Sequence, residues 1–364
     1  MRREVLVLGG GLAGAAAAVH LARAGRDVCL IERTPGPHDK VCGEFLSFEA
    51  QGELRRIGVE PRMLGAVPIQ AVAVEAGRRR AEAPLGFEAL SLSRRVLDEA
   101  LLAKAAETGA EVRRGARVTG LVRDGEGWSV EVEGQGRIGA RHVVLATGKH
   151  DLRGWRRPDG RQSDLIGFKA YWHLPNAAEG TVELHLFPGG YAGLEMVEGG
   201  LANLCLVVGR AGFDGLGRRW ERLLSHVLRS CPGLRVRLAG AEPCEGRPLA
   251  IGRIPYGFVQ EGSDGLWRVG DQAAVIPSFT GEGMSIALHS ARLASSFLLA
   301  GRGAEAFQRR LARDVRGQVR LSTLISQALV APGAQAAAGW LLVPPVLRWA
   351  LWRTRLPETA RRRV

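Results

Sequence analysis

Residues 9–14 read GGGLAG, a GxGxxG spacing that suits the binding of a pyrophosphate. Glycines at these positions permit a tight turn, close approach of the backbone to the phosphates and tight packing of the helix that follows. That helix would add backbone N–H donors and the positive end of its dipole. Glu32 comes after a second apolar run, where an acid can accept hydrogen bonds from a ribose diol. These residues predict a dinucleotide site.

The segments around this turn predict strand, turn, helix and strand. Residues 4–8 and 27–31 are short apolar runs, and the Ala-rich residues 15–24 between them predict a helix. Further on, period-two alternation with glycine turns predicts antiparallel strands at residues 70–75, 79–83, 167–174, 181–188, 191–197 and 202–208. In this second sheet, five aromatic residues either line a lipophilic pocket or pack in the core: Phe168, Tyr171, Trp172, Phe187 and Tyr191.

The order of these segments predicts an α/β fold in which a Rossmann-type domain carries an inserted antiparallel substrate sheet. The nucleotide domain is expected to be discontinuous, over residues 1–75, 90–165 and 255–300. The substrate sheet is expected over residues 76–89 and 166–254. Residues 301–364 are expected to form a C-terminal helical region.

Two late segments narrow the choice of dinucleotide, VGD at residues 269–271 and PSFTGEGM at residues 277–284. With the glycine-rich turn, they resemble the FAD-dependent oxidoreductases of the p-hydroxybenzoate hydroxylase and geranylgeranyl reductase superfamily, over roughly residues 1–300. The resemblance implies FAD as the cofactor. It also implies that Asp271 binds the ribityl chain and that Pro277, Gly281 and Gly283 line the isoalloxazine ring.

Two more segments fit the same resemblance. Residues 93–98 (SRRVLD) match the family pattern Arg-x-x-Leu-Asp, in which the arginine, here Arg94, contacts FAD. Residues 40–45 (KVCGEF) resemble the loop that runs toward the flavin in the geranylgeranyl-reductase-like branch. Cys42 in this loop is either an acid, nucleophile or substrate contact beside the flavin, or an inert thiol. Lys40 and Glu44 are further candidate contacts.

One departure from the family bears on the electron donor. Aromatic hydroxylases of this superfamily usually carry Asp-Gly after the strand that corresponds to residues 143–146, and here Thr147 stands in place of the aspartate. NADPH or NADH is a possible donor, but its usual mode of reducing the flavin is put in doubt.

The complete set of expected FAD contacts comprises both helix-starting turns, the end of the second strand, the loop at residues 40–44 and the strand ends beside them. These residues are Gly9, Gly11, Leu12, Ala13, Gly14, Glu32, Arg33, Lys40, Cys42, Gly43, Glu44, Arg94, Val118, Ala146, Thr147, Gly148, Gly270, Asp271, Pro277, Gly281, Glu282, Gly283 and Met284. The residues expected beside the reacting atoms are Cys42, Pro277 and Gly281. The scattered histidines have no metal-binding spacing, so no metal is expected.

Composition limits the location and the partners. The formal net charge is +13, but few aromatic residues could stack bases, and arginine is spread along the chain, so no nucleic-acid partner is expected. The 5 cysteines contain no CxxC pair, which favours a reducing cytoplasm. Neither a signal peptide nor a membrane-spanning run is expected.

The segment 340–352 is apolar with arginines and is interrupted by Pro344 and Pro345. It is either a packed terminal helix or a peripheral membrane contact.

Several activities remain open. The favoured one is a monooxygenase that uses molecular oxygen to hydroxylate an aromatic or polyketide-like, lipophilic molecule of secondary metabolism. The alternative is a reductase or dehydrogenase of a prenyl or other lipophilic substrate. Remote alternatives are a flavin-dependent halogenase, whose WxWxIP motif is missing from the sequence, and a non-catalytic flavin protein associated with membranes.

Overall fold

The computed structural model describes residues 2–175, 180–331, 333, 343–357 and 360. In chain order the strands are β1 (Arg2–Leu8), β2 (Val28–Glu32), β3 (Phe45–Leu46), β4 (Val67–Ala76), β5 (Arg79–Ser91), β6 (Glu111–Arg114), β7 (Val118–Asp124), β8 (Gly127–Val132), β9 (Gly136–Leu145), β10 (Leu165–His173), β11 (Gly180–Phe187), β12 (Gly190–Val197), β13 (Leu201–Gly209), β14 (Glu242–Pro243), β15 (Leu249–Gly252) and β16 (Trp267–Arg268). The α-helices are α1 (Leu12–Arg23), α2 (Phe48–Arg56), α3 (Arg94–Glu107), α4 (Arg210–Gly215), α5 (Trp220–Ser230), α6 (Pro232–Arg237), α7 (Gly283–Leu299), α8 (Ala304–Val330) and α9 (Pro344–Arg353).

The first sheet is the expected parallel nucleotide sheet. Its strands run in the order β6-β2-β1-β9-β8-β7, and β16 pairs with β9. The strands β6, β2, β1, β9 and β16 are parallel to their neighbours, whereas β7 and β8 add an antiparallel edge. Parallel strands covered on both faces are apolar throughout, and the central strand β2 is fully buried. The Ala-rich α1 packs between this sheet and α7 in the main core.

The second sheet has two chemically different faces. Its order is β14-β10-β13-β12-β11-β4-β5-β3, with β15 on β10, and its pairs are antiparallel except for β11 with β4. Ala192, Leu194 and Met196 of β12 point into a cluster formed with α5 and α6. Tyr191 points the other way. Because side chains alternate along a strand, the odd-numbered residues of β12 lie on the face toward the nucleotide sheet.

The predicted domain ranges differ from the strand pairing in one region. The range 1–75 takes in β3 and β4, yet both strands pair with β5 in the second sheet. The reason is that β4 and β5 form a hairpin, and hairpin partners must share a sheet. The strand expected at residues 143–146 is the end of the longer strand β9, and α2 was not predicted.

The C-terminal region is helical where it is described. Pro344 and Pro345, the prolines of the predicted segment 340–352, occupy the first turn of α9, where no N–H is needed, so α9 begins at Pro344. Residues 340–342 of the predicted segment lie outside the described residues. Over the part of the chain that the structure describes, no helix combines the length and apolarity needed to cross a membrane.

Candidate functional site

A cavity of about 770 Å³ lies between the two sheets and gathers most of the predicted contacts. Its volume is in the range of small-molecule and cofactor sites. The predicted residues in its wall are Gly9, Gly11, Leu12, Ala13, Glu32, Arg33, Lys40, Cys42, Gly43, Glu44, Arg94, Val118, Ala146, Thr147, Gly148, Gly270, Asp271, Gly281, Gly283 and Met284. Gly14, Pro277 and Glu282 are not in this wall.

The glycine-rich turn packs too tightly for side chains. Gly9 has a φ of 108°, and a Cβ atom there would lie 2.5 Å from the carbonyl oxygen of Ala146. A Cβ on Gly14 would lie 1.9 Å from the carbonyl oxygen of Gly9. Gly14 therefore serves the packing of α1 against the turn rather than direct contact with a ligand. Gly11 begins α1 with no side-chain cap and no acid in the first turn, which leaves the N–H groups open to an anion.

Glu32 closes the turn from the end of β2. Its Oε2 accepts a hydrogen bond of 2.7 Å from Gly10 N, and its Oε1 accepts one of 2.9 Å from Thr34 N. Burial opposes ionisation, but these N–H groups and the charge of Lys40 hold the pKa of Glu32 below its ordinary value. The carboxylate is therefore ionised at neutral pH, as an acceptor for ribose hydroxyls requires.

Two cations stand over the start of α1. A Cβ on Gly11 would lie 3.4 Å from both Arg94 Nη2 and Lys40 Nζ. Asp98, one turn along α3 from Arg94, receives hydrogen bonds of 2.9 and 3.0 Å from Arg94 and one of 2.7 Å from Lys40. Two positive charges thus pair with one buried carboxylate, which leaves a net positive charge. This charge lies next to the open backbone N–H groups at the start of α1. This arrangement is complementary to a pyrophosphate.

The second helix-starting turn forms the opposite wall. Gly270 has a φ of 59°, and a Cβ there would lie 3.0 Å from Ala13 Cβ, so the two turns pack against each other. Gly281 has a φ of 69°, and a Cβ there would lie 2.5 Å from the Phe45 ring. Glycines at these points let Asp271 and the start of α7 approach the loop at residues 40–45.

Glu282 faces a different space from the one expected. It is buried and lines a second, smaller cavity rather than the large one. Burial, together with the nearby Glu49 carboxylate, raises the pKa of Glu282 to about 7, although Arg355 opposes this. The motif spacing placed it correctly beside α7, but the direction of its side chain depends on the packing of the C-terminal segment.

Thr147 has a local structural contact. Its Oγ1 donates a hydrogen bond of 2.6 Å to the carbonyl oxygen of His150 and so closes the turn after β9.

Two further side chains join this turn to the turn at Asp271. Gln272 Nε2 donates to Gly148 O at 2.9 Å and to His150 O at 3.1 Å. Arg157 donates to Asp151, to Lys149 O at 2.9 Å and to the carbonyl oxygen of Asp271. Arg157 and Gln272, which the sequence analysis missed, tie this turn to the Asp271 turn.

The loop at residues 40–45 is anchored to the second sheet through Glu44. Glu44 is fully buried with a φ of 63°, and it forms an ion pair with Lys169. Tyr171 Oη lies 2.9 Å from both Glu44 carboxylate oxygens, and Arg94 N donates to Glu44 Oε1 at 2.7 Å. Glu44 is thus a structural anchor that joins loop, sheet and α3. Asn203 Nδ2 also donates to Cys42 O at 3.1 Å, which fixes the Cys42 backbone.

The second cavity, of about 100 Å³, adjoins the first. Gly43, Phe45, Cys205, Ser278 and Gly281 line both. Most of its other walls are apolar: Val72, Leu85, Phe87, Val182, Leu184, Tyr191, Phe279 and Leu351. The aromatic residues predicted for a pocket divide between the sheet faces. Phe168, Trp172 and Phe187 pack on the far face with α5 and α6, because they have the opposite parity along their strands.

Local spacing in the sequence could have identified some of the missed site residues but not others. Asp98 is four residues from Arg94 within the motif itself, a spacing that predicts an ion pair on a helix. Glu195, Asn203 and Cys205 lie on strands without a distinctive motif, and only the register of the second sheet brings them to the second cavity. Lys169 is a similar case, because the same register brings it to Glu44. Over the described residues, no group of three or more His, Cys, Asp or Glu side chains is placed to hold a metal ion.

Comparison with known proteins agrees with this geometry. A family model described as "FAD binding domain" matches residues 2–157. Menaquinone reductase of Mycolicibacterium smegmatis is 27% identical over 326 residues, which cover 82% of this chain and 77% of that protein. Digeranylgeranylglycerophospholipid reductase 2 of Methanopyrus kandleri is 31% identical over 321 residues, covering 81% of this chain and 76% of that protein.

Solved structures share the fold. The myxobacterial chondrochloren halogenase CndH superposes with a TM-score of 0.78 at 19% identity, over 99% of this chain and 92% of that chain. The halogenase PltM in complex with phloroglucinol and FAD superposes with a TM-score of 0.74 at 16% identity, over 90% of this chain and 76% of that chain. At such identities the likeness concerns the fold alone.

The expectation of an FAD-binding α/β protein is confirmed. The glycine cradle, the open start of α1 and the paired cations fit an FAD pyrophosphate, so the residues present suit the cofactor. The chain belongs to the family of FAD-dependent oxidoreductases that includes the digeranylgeranylglycerophospholipid reductases.

Proposed function

We propose that the protein is a reductase that uses FAD to saturate a carbon–carbon double bond of a lipophilic substrate, such as an isoprenoid chain. The observation that carries this proposal is the apolar second cavity, which shares Gly43, Phe45 and Gly281 with the large cavity. Val207, Ile251 and Ile254 extend the apolar wall at the second-sheet side of the large cavity. A site with such walls favours a hydrocarbon segment over a charged substrate.

The relatives support the same substrate class. Menaquinone and digeranylgeranylglycerophospholipid, which the relatives' names give as substrates, are lipids that carry isoprenoid chains. The second cavity, of about 100 Å³, has room for a short segment of such a chain rather than for a whole lipid. We therefore propose that the rest of the substrate runs through the large cavity or toward solvent.

The roles of the site residues follow from their positions. Arg94, Lys40 and the start of α1 hold the pyrophosphate, Glu32 accepts hydrogen bonds from a ribose, and Asp271 accepts them from the ribityl chain. The remaining predicted contacts line the path between these groups. When bound and reduced, FAD supplies a hydride to the substrate carbon.

The start of α7 lies at the ring end of the cavity in this proposal. The backbone N–H groups of Gly283 and Met284, in the first turn of α7, would stabilise the negative charge that a flavin gains on reduction, and Pro277 shapes the turn that precedes them. Cys42, which lines the large cavity, and Gly43, which lines both cavities, cover the opposite side. Apolar side chains from the second sheet exclude water from the reacting carbon.

A monooxygenase acting on an aromatic or polyketide-like substrate is the second candidate. The observation that favours it is an aromatic pair at the second cavity, in which the Tyr191 and Phe279 rings lie 5.9 Å apart at 85°. Such a pair can pack against a substrate ring. In this case molecular oxygen would be a substrate, and NADPH or NADH a donor.

The mass of the product separates the two candidates. The FAD-loaded protein is reduced chemically and incubated with a geranylgeranyl lipid, with and without air, and the lipid is analysed by mass spectrometry. A reductase yields a product that has gained hydrogen in the absence of air. A product that gains an oxygen atom, and forms only in air, would overturn the reductase proposal in favour of the monooxygenase.

A peripheral contact of α9 with membrane lipid fits a lipophilic substrate, and we propose it as part of the function. Val346, Trp349 and Trp352 of α9 are 39%, 54% and 55% exposed. Arg348 and Arg353 flank them, which is the composition of an interfacial helix. Flotation with anionic vesicles tests this: Trp349→Ala should reduce recovery with the vesicles, whereas Leu324→Ala, an exposed apolar residue of α8, should not. Equal recovery of both variants and the parent would overturn the membrane contact.

A further inference from the structure

Glu195 and Asn203 form a polar pair in the wall of the second cavity, which also contains Glu183, Thr280, Glu282 and Arg355 among its mostly apolar residues. They are register partners on the antiparallel strands β12 and β13, so their side chains lie side by side on one face. Both line the cavity, with exposures of 4% for Glu195 and 1% for Asn203. Tyr171 is the partner of Asn203 on β10, so the row Tyr171, Asn203, Glu195 crosses three strands.

Within the described residues, neither carboxylate oxygen of Glu195 nor Oδ1 of Asn203 makes a hydrogen bond of normal length. The Ser91 hydroxyl of β5 lies near Glu195 and favours its ionised form, but it too makes no such hydrogen bond. A buried carboxyl group without partners is costly, because it gives up water and receives nothing in return. Buried polar groups that remain unpaired in a cavity wall are of the kind that a ligand satisfies.

The charges around Glu195 disfavour its ionised form. Lys169, the nearest cation, is already paired with Glu44, and Arg355, at the far wall of the cavity, is paired with Glu49. Glu44 and Cys42 face Glu195 from the loop, and Glu282 lines the same cavity. Burial, followed by the Glu44 carboxylate, raises the pKa of Glu195 well above its ordinary value.

From this geometry we propose that Glu195 is a neutral carboxylic acid that donates the proton in the reduction of the substrate, a role that rests on the proposed reductase function. One carbon of the double bond would receive the hydride that reduced FAD supplies when bound. Glu195 gives its proton to the other carbon, so that its O–H bond breaks, a C–H bond forms and a carboxylate remains. Water that enters when the product leaves restores the proton. Asn203 holds Cys42 O and thereby keeps the loop beside the acid.

The first test reads the protonation of Glu195 without any turnover. Infrared spectroscopy of the FAD-loaded protein at neutral pH should show a carboxylic C=O band that shifts in D₂O. Glu195→Gln should lose the Glu195 component of this absorption and keep that of Glu282, whose pKa is about 7. Glu242→Gln, a matched change at an exposed residue of β14, should leave the whole absorption unchanged. A spectrum in which Glu195→Gln leaves the carboxylic bands unchanged would overturn the proposal that the acid is neutral.

The second test separates this proposal from the reductase function itself. In the proposed role, Glu195→Gln keeps FAD affinity and chemical reduction of the flavin, and loses roughly 10²–10⁴-fold in the rate of lipid reduction. Glu242→Gln should reduce the lipid at the parent rate. If the parent reduces the lipid and Glu195→Gln does so equally fast, the proton-donor role is wrong and the reductase function stands. If the parent does not reduce the lipid, the function fails, and with it the proton-donor role, whatever the infrared spectrum shows.

Discussion

Asp98 receives two hydrogen bonds from the Arg94 guanidinium, of 2.9 Å from Nε and 3.0 Å from Nη2. Since Lys40 donates to the same carboxylate, two cations are fixed over the start of α1 by a single negative charge. Arg94 Nη2 and Lys40 Nζ each lie 3.4 Å from the place that a Cβ on Gly11 would take. The pyrophosphate site is therefore organised before the cofactor binds.

The first prediction concerns Arg94. Arg94→Ala should weaken FAD binding about 10- to 150-fold, because a charge-assisted hydrogen bond contributes about 1.5–3 kcal/mol. Equilibrium titration of the apoprotein with FAD, followed by flavin fluorescence, measures this. The matched control is Arg95→Ala, since Arg95 pairs with Asp39 at the surface. Equal weakening by both variants would show that Arg94 has no special place at the cofactor.

The second prediction concerns the tight turn. Gly14→Ala should displace α1 and destabilise the protein by about 1–3 kcal/mol, because the new methyl group would lie 1.9 Å from the Gly9 carbonyl oxygen. Denaturant unfolding measures the change in the free energy of unfolding, and FAD retention on a desalting column should fall with it. Gly36→Ala is the control, because that position has open space. An unchanged free energy for Gly14→Ala would contradict the packing described here.

The third prediction tests the ribityl contact. Asp271→Ala should weaken FAD binding about 10- to 150-fold, on the same scale of about 1.5–3 kcal/mol for a hydrogen bond to a charged group. Asp124→Ala, at the exposed end of β7, should leave the affinity unchanged. Isothermal titration with FAD gives both values. An FAD affinity of Asp271→Ala equal to that of the parent would show that Asp271 does not contact the cofactor.

The fourth prediction concerns a buried ion cluster beside the second cavity, which one of its members, Glu183, lines. His185 is fully buried between Glu75 and Glu183, with its Nε2 3.2 Å from Glu183 Oε2. Burial opposes the charge, but the two carboxylates raise the pKa of His185 above its ordinary value. The stability that comes from its charged form is therefore complete below the unfolded value of about 6.5 and is lost as the pH rises through the higher folded value.

Unfolding experiments at two pH values check this sign. His185→Gln should cost about 1.5–3 kcal/mol at acidic pH, where it removes a charged partner from Glu75 and Glu183, and less at alkaline pH, where the native imidazole is neutral. In the variant, Gly233 N still donates to Glu75, and Arg80 and Arg237 still pair with Glu183. His173→Gln, at an exposed position, should show no such dependence. A cost for His185→Gln that grows with pH would contradict the charged state assigned to His185.

The sequence predicted the nucleotide half of the molecule more completely than the substrate half. The GxGxxG turn, Glu32, Arg94 and Asp271 all lie on the large cavity, because local motifs determine local geometry. The pairing of Glu44 with Lys169 joins residues far apart in the chain, and nothing local encodes it. The row Tyr171, Asn203, Glu195 depends on the register of three strands, which a single sequence does not specify.

The second sheet has the same limit. The sequence left pocket lining and core packing open for its aromatic residues, and strand parity places Phe168, Trp172 and Phe187 against α5 and α6. The helices that cover one face of the sheet decide which residues of each strand face the cavity, and a single sequence does not specify that packing.

Reoxidation of the reduced flavin by an unsaturated lipid tests whether the protein is a reductase of carbon–carbon double bonds. The FAD-loaded protein is reduced under argon and mixed in a stopped-flow instrument with a geranylgeranyl lipid or with its fully saturated counterpart, while flavin absorbance is followed. The reductase account predicts that the unsaturated lipid restores the oxidised spectrum without oxygen and that the saturated lipid does not. A flavin that stays reduced with both lipids, and is reoxidised only when air is admitted, would contradict the proposed reductase function.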